Sequence, residues 1–256
     1  MSAFDRYSRY YDLLNSGKDY AAEADYVLRR LRGANPDSRR VLELGSGTAR
    51  HARLLAAAGF EVCGVERSDT MLAAATAALA QEPAELRRRV DLVQGDACKV
   101  RLERRFDAVI SLFHVASYQV SNEDLAAMFT TARRHLDRGG HFFFDYWHGP
   151  GVLTDLPGPR LKEGEDAAYA VTRRARPEML PRQNLVKVHY EISGRDKANG
   201  VTERIEETHP MRYLFEPELE LLLGAAGFRV LHTLAWLTDQ PPALGTWNAC
   251  TLAEAL

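Results

Sequence analysis

The sequence predicts an α/β fold: a doubly wound, mostly parallel sheet with an antiparallel β insert after the fifth strand. Three observations predict it. Short apolar, strand-like stretches alternate with helix-like stretches through residues 40–146, the pattern of βαβ units with helices on both faces. A glycine turn, Gly45-Ser46-Gly47-Thr48, sits between the first strand and its helix, where nucleotide-binding units place one. The composition then shifts at His148-Gly149-Pro150-Gly151, and two segments with strand alternation follow at 184–193 and 201–215.

Each element has a local reason. Residues 20–32 carry apolar positions at helical spacing, and Gly33 and Pro36 break them. Arg40–Leu44 is short, apolar and β-rich, the first strand. Residues 49–58 read as a helix that Gly59 ends. Residues 60–66 are the second strand, and Ser68 or Asp69 caps a helix over 71–80. Val90–Gln94 is the third strand. Residues 106–113 are the fourth, apolar on both faces as a buried parallel strand requires. A helix over 122–136 and the turn Asp137-Arg138-Gly139-Gly140 lead to the fifth strand at 141–146. Residues 151–182 hold several Gly, Pro and Arg and receive no element. The two alternating segments flank a turn at 196–200 and read as a hairpin. A helix over 216–226, ended by Gly227, and strands at 228–236 and 246–252 complete the sheet. The division this implies is one domain over 1–147 and 216–256, with 148–215 as the β-rich insert.

Composition excludes several classes. Lys and Arg number 33 against 35 Asp and Glu, for a net charge of −2. A duplex-binding protein usually carries a basic excess, so no nucleic-acid partner is expected. Three cysteines at unpaired spacing exclude a disulfide scaffold or a cysteine zinc site and fit a reducing cytoplasm. No apolar run approaches a membrane span, so no membrane partner is expected. The opening residues, acidic and aromatic, do not make a signal peptide. His141, Asp145 and His148 match no recognised metal spacing, so no metal is expected.

The glycine turn carries the most chemistry. Gly45 and Gly47 let a ligand approach the backbone, and the following helix directs free N–H groups at it. Glu66 ends the second strand at the ~20-residue spacing of a ribose-binding acid. A nicotinamide dinucleotide wants a third glycine where this chain has Arg50, which weakens that reading. S-adenosylmethionine needs only the first part of the loop, and Glu43 can face its ammonium. A nicotinamide oxidoreductase and a plain tight turn remain open on the residues alone.

Residues 43–48 (ELGSGT), Glu66, Gly95-Asp96 and the strand at 106–113 resemble the successive motifs of class I S-adenosylmethionine-dependent methyltransferases. Within that family, Tyr11-Asp12-Leu13-Leu14, residues 17–24, Glu207-Thr208-His209 and the tail at 225–228 resemble the nucleotide-sugar N,N-dimethyltransferases. The chain also looks like methyltransferases encoded with surface-polysaccharide genes. The resemblance implies a Rossmann-like fold in the class I methyltransferase strand order. It implies S-adenosyl-L-methionine as cofactor and S-adenosyl-L-homocysteine as product. Tyr20, Gly45, Glu66, Asp96, Ala97 and Leu112 would contact the cofactor, with Gly47 and Arg67 beside them and Met71 against the adenine or in helix core. The first domain would bind the cofactor, and the insert the substrate or a second chain through an exposed hairpin edge. Two departures stand out. Asn15 replaces a substrate-contacting Tyr of those enzymes, and their Trp-rich segment is Asp145-Tyr146-Trp147-His148 here.

Methyl transfer from a sulfonium is an in-line displacement, so the protein mainly orients the reactants and excludes water. An amine must be neutral, and a hydroxyl usually needs a base. Tyr118, where similar sugar methyltransferases hold His or Tyr, and His114 are the catalytic candidates; packing roles are the alternative for both. Tyr146 and Trp147 would wall a sugar ring, and Arg173 and Arg212 would meet a phosphate. The expected activity is methylation of N or O on a small molecule, a sugar or nucleotide-sugar. The alternatives are methylation of RNA or protein, and nicotinamide oxidoreduction.

Overall fold

A computed structural model describes residues 8–256. The first seven residues of the opening segment, and the leader reading that rests on them, lie outside the described residues.

The chain runs through α1 (Ser8–Leu14), α2 (Tyr20–Ala34), β1 (Arg40–Leu44), α3 (Arg50–Ala57), β2 (Glu61–Glu66), α4 (Asp69–Ala80), α5 (Ala84–Arg87), β3 (Val90–Gln94) and β4 (Phe106–Ser111). A 3-10 turn at Val115–Tyr118, α6 (Asn122–Arg134) and β5 (Leu136–His148) follow. Then come α7 (Gly149–Thr154), β6 (Arg160–Glu165), β7 (Tyr169–Leu180), β8 (Leu185–Asp196), β9 (Thr202–Leu214), α8 (Glu216–Ala225), β10 (Phe228–Ala235) and β11 (Asn248–Ala255).

Among the described residues, eleven strands form one sheet. Its parallel part runs β3-β2-β1-β4-β5, and β11 and β10 continue it antiparallel. This is the arrangement of class I methyltransferases. Successive side chains of a strand point to opposite faces. Phe142 and Phe144 therefore enter the core under α6 and α8, while Phe143 enters the core under α2 and α3. Burial of both faces explains the unbroken apolar run.

β5 is longer than its apolar run predicts. The turn chemistry of 137–140 is real, but it produces a bulge inside the strand: Phe106 pairs with Leu136 and Ala108 already with His141. At the other end β5 outlasts β4. Trp147 and His148 pair with Tyr213 and Leu214 of β9, while Asn248 of β11 holds the opposite edge. The insert sheet therefore starts where β4 stops.

That sheet has four antiparallel strands, β9-β8-β7-β6, rather than the expected hairpin. The polar segments at 160–165 and 169–180 pair in register with Lys162 opposite Arg173. β7 covers the outer edge of β8, so the edge expected on the hairpin is covered and β6 is outermost. α1 packs on this sheet, with Tyr10 and Leu14 against Val171, Ile192 and Ile205. Gly194 makes room: a Cβ there would overlap the Tyr10 ring.

Candidate active site

The turn after β1 is bare for two physical reasons. Gly45 and Gly47 take left-handed backbone, at φ 78° and 55°, where a side chain strains the chain. A Cβ on Gly45 would also lie 2.6 Å from Cγ2 of Val115. The Gly45 and Ser46 amides both donate to the Val65 carbonyl, at 2.8 and 3.0 Å. Glu66 closes the turn by accepting from the Gly47 and Ser68 amides, each at 2.8 Å. Two donors leave further lone pairs on that carboxylate for a ligand.

A narrow cleft of about 30 Å³ opens here, lined by the turn with Tyr11, Tyr20, Glu43, Arg50, Leu112 and Phe113. Glu43 on β1 is 1% exposed. It accepts a backbone hydrogen bond from Ala52, yet its Oε2 has no partner. Burial, and then the charge of Glu66, push its pKa up to about 8. An orphaned buried carboxyl oxygen on a cleft wall fits a cationic group such as an α-ammonium. Behind it, His51 Nδ1 lies 3.8 Å from Glu43 Oε1 and its Nε2 lies 2.8 Å from Glu23 Oε2. Lys18 also pairs with Glu23. Burial alone would raise the Glu23 pKa, but the hydrogen bonds from His51 and Lys18 prevail and hold it at about 2.

Of the cofactor residues expected from sequence, Tyr20, Glu43, Gly45, Gly47 and Leu112 share this cleft. Glu66, Arg67, Met71, Asp96 and Ala97 follow along the C-terminal ends of β2 and β3. Asp96 shapes the turn after β3 by accepting from the Cys98 amide at 2.8 Å. Met71 is buried in the first turn of α4, and Arg67 is exposed.

Tyr11 and Phe113 also line a second, larger cavity of about 310 Å³ between the ends of β4 and β5 and the insert. Phe113 and His114 are consecutive non-glycine residues with left-handed backbone, at φ 62° and 65°, a strained pair of the kind found at functional sites. Asp145 holds this corner. Its Oδ1 accepts from the His114 amide at 3.0 Å, and its Oδ2 lies 2.8 Å from His114 Nδ1. The imidazole contact is close but not aligned as a hydrogen bond. Across the cavity, the Tyr118 hydroxyl lies 2.8 Å from His209 Nδ1, and His209 Nε2 lies 3.0 Å from Glu207 Oε2.

Trp147 and Trp247 wall the cavity with rings 5.3 Å apart, edge to face. Arg160, Lys162 and Arg173 line its insert side, and no carboxylate of a described residue lines it with them. Arg173 stacks over Tyr190 at 4.5 Å. Lys162 donates to Asn15 at 3.2 Å. Burial, and then the charges of Arg173 and Lys18, lower the Lys162 pKa.

Two expected substrate residues are not in this cavity. Tyr146 is fully buried, on the strand face it shares with Phe142 and Phe144, and packs on Phe144 with Leu214 and Ala249. It is core, not a sugar wall. Arg212 is buried beneath β9, where its Nη2 donates to Asn122 at 2.7 Å and pairs with Glu218 at 3.3 Å. It ties the strand to α6 and α8. Sequence reasoning also left out Arg160 and Lys162, two residues apart and hence on one strand face, because it assigned no strand there. It gave His209 no catalytic role, naming it in the Glu207-Thr208-His209 resemblance.

A methyltransferase-domain family model matches residues 41–140. The dTDP-3-amino-3,6-dideoxy-alpha-D-glucopyranose N,N-dimethyltransferase of Streptomyces fradiae is 30% identical over 226 residues, covering 86% of this chain and 82% of that protein. The chain belongs to the S-adenosylmethionine-dependent methyltransferase family. A second relative of the methyltransferase is the dTDP-3-amino-3,4,6-trideoxy-alpha-D-glucopyranose N,N-dimethyltransferase of Streptomyces venezuelae, 29% identical over 86% of this chain and 89% of that one. An amino pentose methyltransferase from Micromonospora echinaspora, solved with S-adenosylmethionine bound, shares the fold. Its TM-score is 0.75 at 24% identity, covering 100% of this chain and 99% of its own. The dinucleotide reading is thereby set aside.

Proposed function

We propose that this methyltransferase N-methylates an amino sugar carrying an anionic tail, a nucleotide diphosphate being the tail that fits best. The observation that carries the reading is the second cavity. It meets the cofactor cleft at Tyr11 and Phe113, and its insert side holds three cations. Lys162 and Arg173 face each other directly across two strands. Like charges so placed destabilise a sheet, and a bound phosphate offsets that cost. The volume suits a small molecule better than a folded macromolecule.

S-adenosylmethionine, when bound, supplies a methyl group already activated on sulfur. The chain's own work is to seat the acceptor and handle one proton. Glu207 fixes the tautomer of His209: Nε2–H donates to the carboxylate, which leaves Nδ1 to accept from the Tyr118 hydroxyl. The Tyr118 oxygen then turns its remaining lone pairs to the cavity, where it accepts from an amine and aims the nitrogen lone pair away from itself. His114, with Nδ1 against Asp145, keeps Nε2 to take the proton that the nitrogen sheds as its new bond to carbon forms. Trp147 and Trp247 cover the apolar face of the sugar and exclude water.

The test is a mass-spectrometric screen of nucleotide-linked amino sugars with S-adenosylmethionine, beside their hydroxyl counterparts and the same amino sugars without phosphate. A gain of one or two methyl groups on the phosphorylated amines alone supports the proposal. Methylation only of hydroxyl counterparts, or equal turnover without phosphate, refutes it.

A further inference from the structure

The larger cavity, read above as the seat of an amine acceptor, already contains an amine of the chain's own. Among the described residues, Lys162 is the one lysine that lines either cavity. It stands on β6, which lies against α1. A Cβ on Gly164, two residues along and so on the same strand face, would lie 3.0 Å from the Leu13 carbonyl oxygen. The Lys162 Nζ donates to Oδ1 of Asn15 at 3.2 Å, and Asn15 Nδ2 donates to the Tyr11 carbonyl at 2.9 Å. Tyr11 and Phe113, with ring centroids 6.2 Å apart, are the residues that both cavities share. The Lys162 amine is therefore tethered one helical turn from the passage to the cofactor cleft.

Two lysines stand near that passage, and their partners differ. Lys18 pairs with Glu23 and lies over the Phe113 ring, 4.2 Å from its centroid, so it is held as an ammonium. Lys162 has a neutral amide oxygen for its partner, and no carboxylate of a described residue lines the cavity with it. Burial, and then the charges of Arg173 and Lys18, favour its neutral form. A neutral amine is what methyl transfer consumes, and the flexible four-carbon stem of a lysine lets the nitrogen swing.

We infer that Lys162 is a methyl acceptor of its own enzyme: with cofactor bound and no sugar in the cavity, its nitrogen takes the methyl group. The inference rests on the amine-methylating reading and adds an activity to it. The Nζ lone pair forms the new bond to carbon. The sulfur–methyl bond breaks, and its electron pair stays on sulfur as a thioether. Positive charge passes from sulfur to nitrogen, so no further reactant is needed. Methylation keeps the charge of a lysine, so the cationic wall keeps its sign while gaining bulk.

The test incubates the full chain with S-adenosylmethionine and no acceptor, then analyses the peptide that contains Lys162 by tandem mass spectrometry. Lys162 should gain one methyl group or more, at a rate that does not change when the protein is diluted. Lys162→Arg should show no gain in that peptide. Asn15→Asp sets a carboxylate against the amine, which favours its charged form by about tenfold or more. In that variant Lys162 should be methylated more slowly by about that factor. Acetic anhydride should also label Lys162 of the cofactor-free variant more slowly than in the wild-type chain. Unmodified Lys162 in a chain that binds S-adenosylmethionine by calorimetry overturns the inference. A rate that grows with protein concentration, or equal rates in Asn15→Asp, overturns it as well. Methylated Lys162 beside no turnover of any phosphorylated amino sugar would instead strike the acceptor reading.

Discussion

Replacing Glu66 by Gln probes the cofactor half with the least change of shape. In the native turn the two carboxylate oxygens each accept one backbone N–H at 2.8 Å, from Gly47 and Ser68. An amide keeps one acceptor and sets an NH2 group against the other N–H. One of the two amides therefore loses its partner, and the negative charge that the proposed contact with the ribose hydroxyls would use disappears. Hydrogen bonds to a charged group contribute about 1.5–3 kcal/mol each. Losing one such bond weakens cofactor affinity by about 10–150-fold. The turn itself should lose about 1–3 kcal/mol of stability from the unpaired N–H. Titration calorimetry with S-adenosylhomocysteine reads the first effect and denaturant unfolding the second. A stable variant with native affinity would refute the reasoning, because it would mean that the carboxylate shapes the turn without touching the ligand.

Three further outcomes are expected. Tyr118→Phe should lower kcat while leaving S-adenosylhomocysteine affinity nearly native, since the hydroxyl contacts His209 on the acceptor side; equal kcat would return the ring to packing. Lys162→Met removes one of the directly opposed cations, so it should raise the melting temperature slightly while raising KM for an anionic acceptor and flattening its salt dependence. Glu23 has a folded pKa of about 2, below its ordinary value of 4.5. A depressed acid stabilises the fold above its unfolded pKa and loses that contribution as pH falls. The stability gap between wild type and Glu23→Gln should therefore be full near neutrality and shrink from pH 4.5 down toward 2; a gap independent of pH would contradict the pairing with His51 and Lys18.

The parallel half of the fold was legible because its central strands are buried on both faces and therefore largely apolar, as 106–111 show. The insert was half legible for the converse reason. β6 is largely exposed, β7 is mostly half-buried, and both carry charges, so they show little hydrophobic alternation. The same charges furnish the cationic wall of the cavity, of which the sequence pointed to Arg173 but not to Arg160 or Lys162. Tyr146 is a different case. It lies two residues from Phe144 and four from Phe142, and strand alternation alone places it in the core; its proximity to Trp147 obscured that. Arg212 finds Asn122 and Glu218 on helices far away in sequence, a partnership no local pattern announces. His209 meets Tyr118 only because β9 folds back over the turn after β4.

The two ladder positions shared by β5 and β9 also bear on how such enzymes change their acceptors. The roof over the reacting atoms is a prolongation of the central sheet, not an appendage on a tether. Its position beyond the end of β4 is set by backbone pairing at Trp147 and His148, whereas the cationic wall stands on strands farther out. Outer strands can therefore be lengthened, shortened or recharged without altering the pairing that fixes the insert beyond the end of β4.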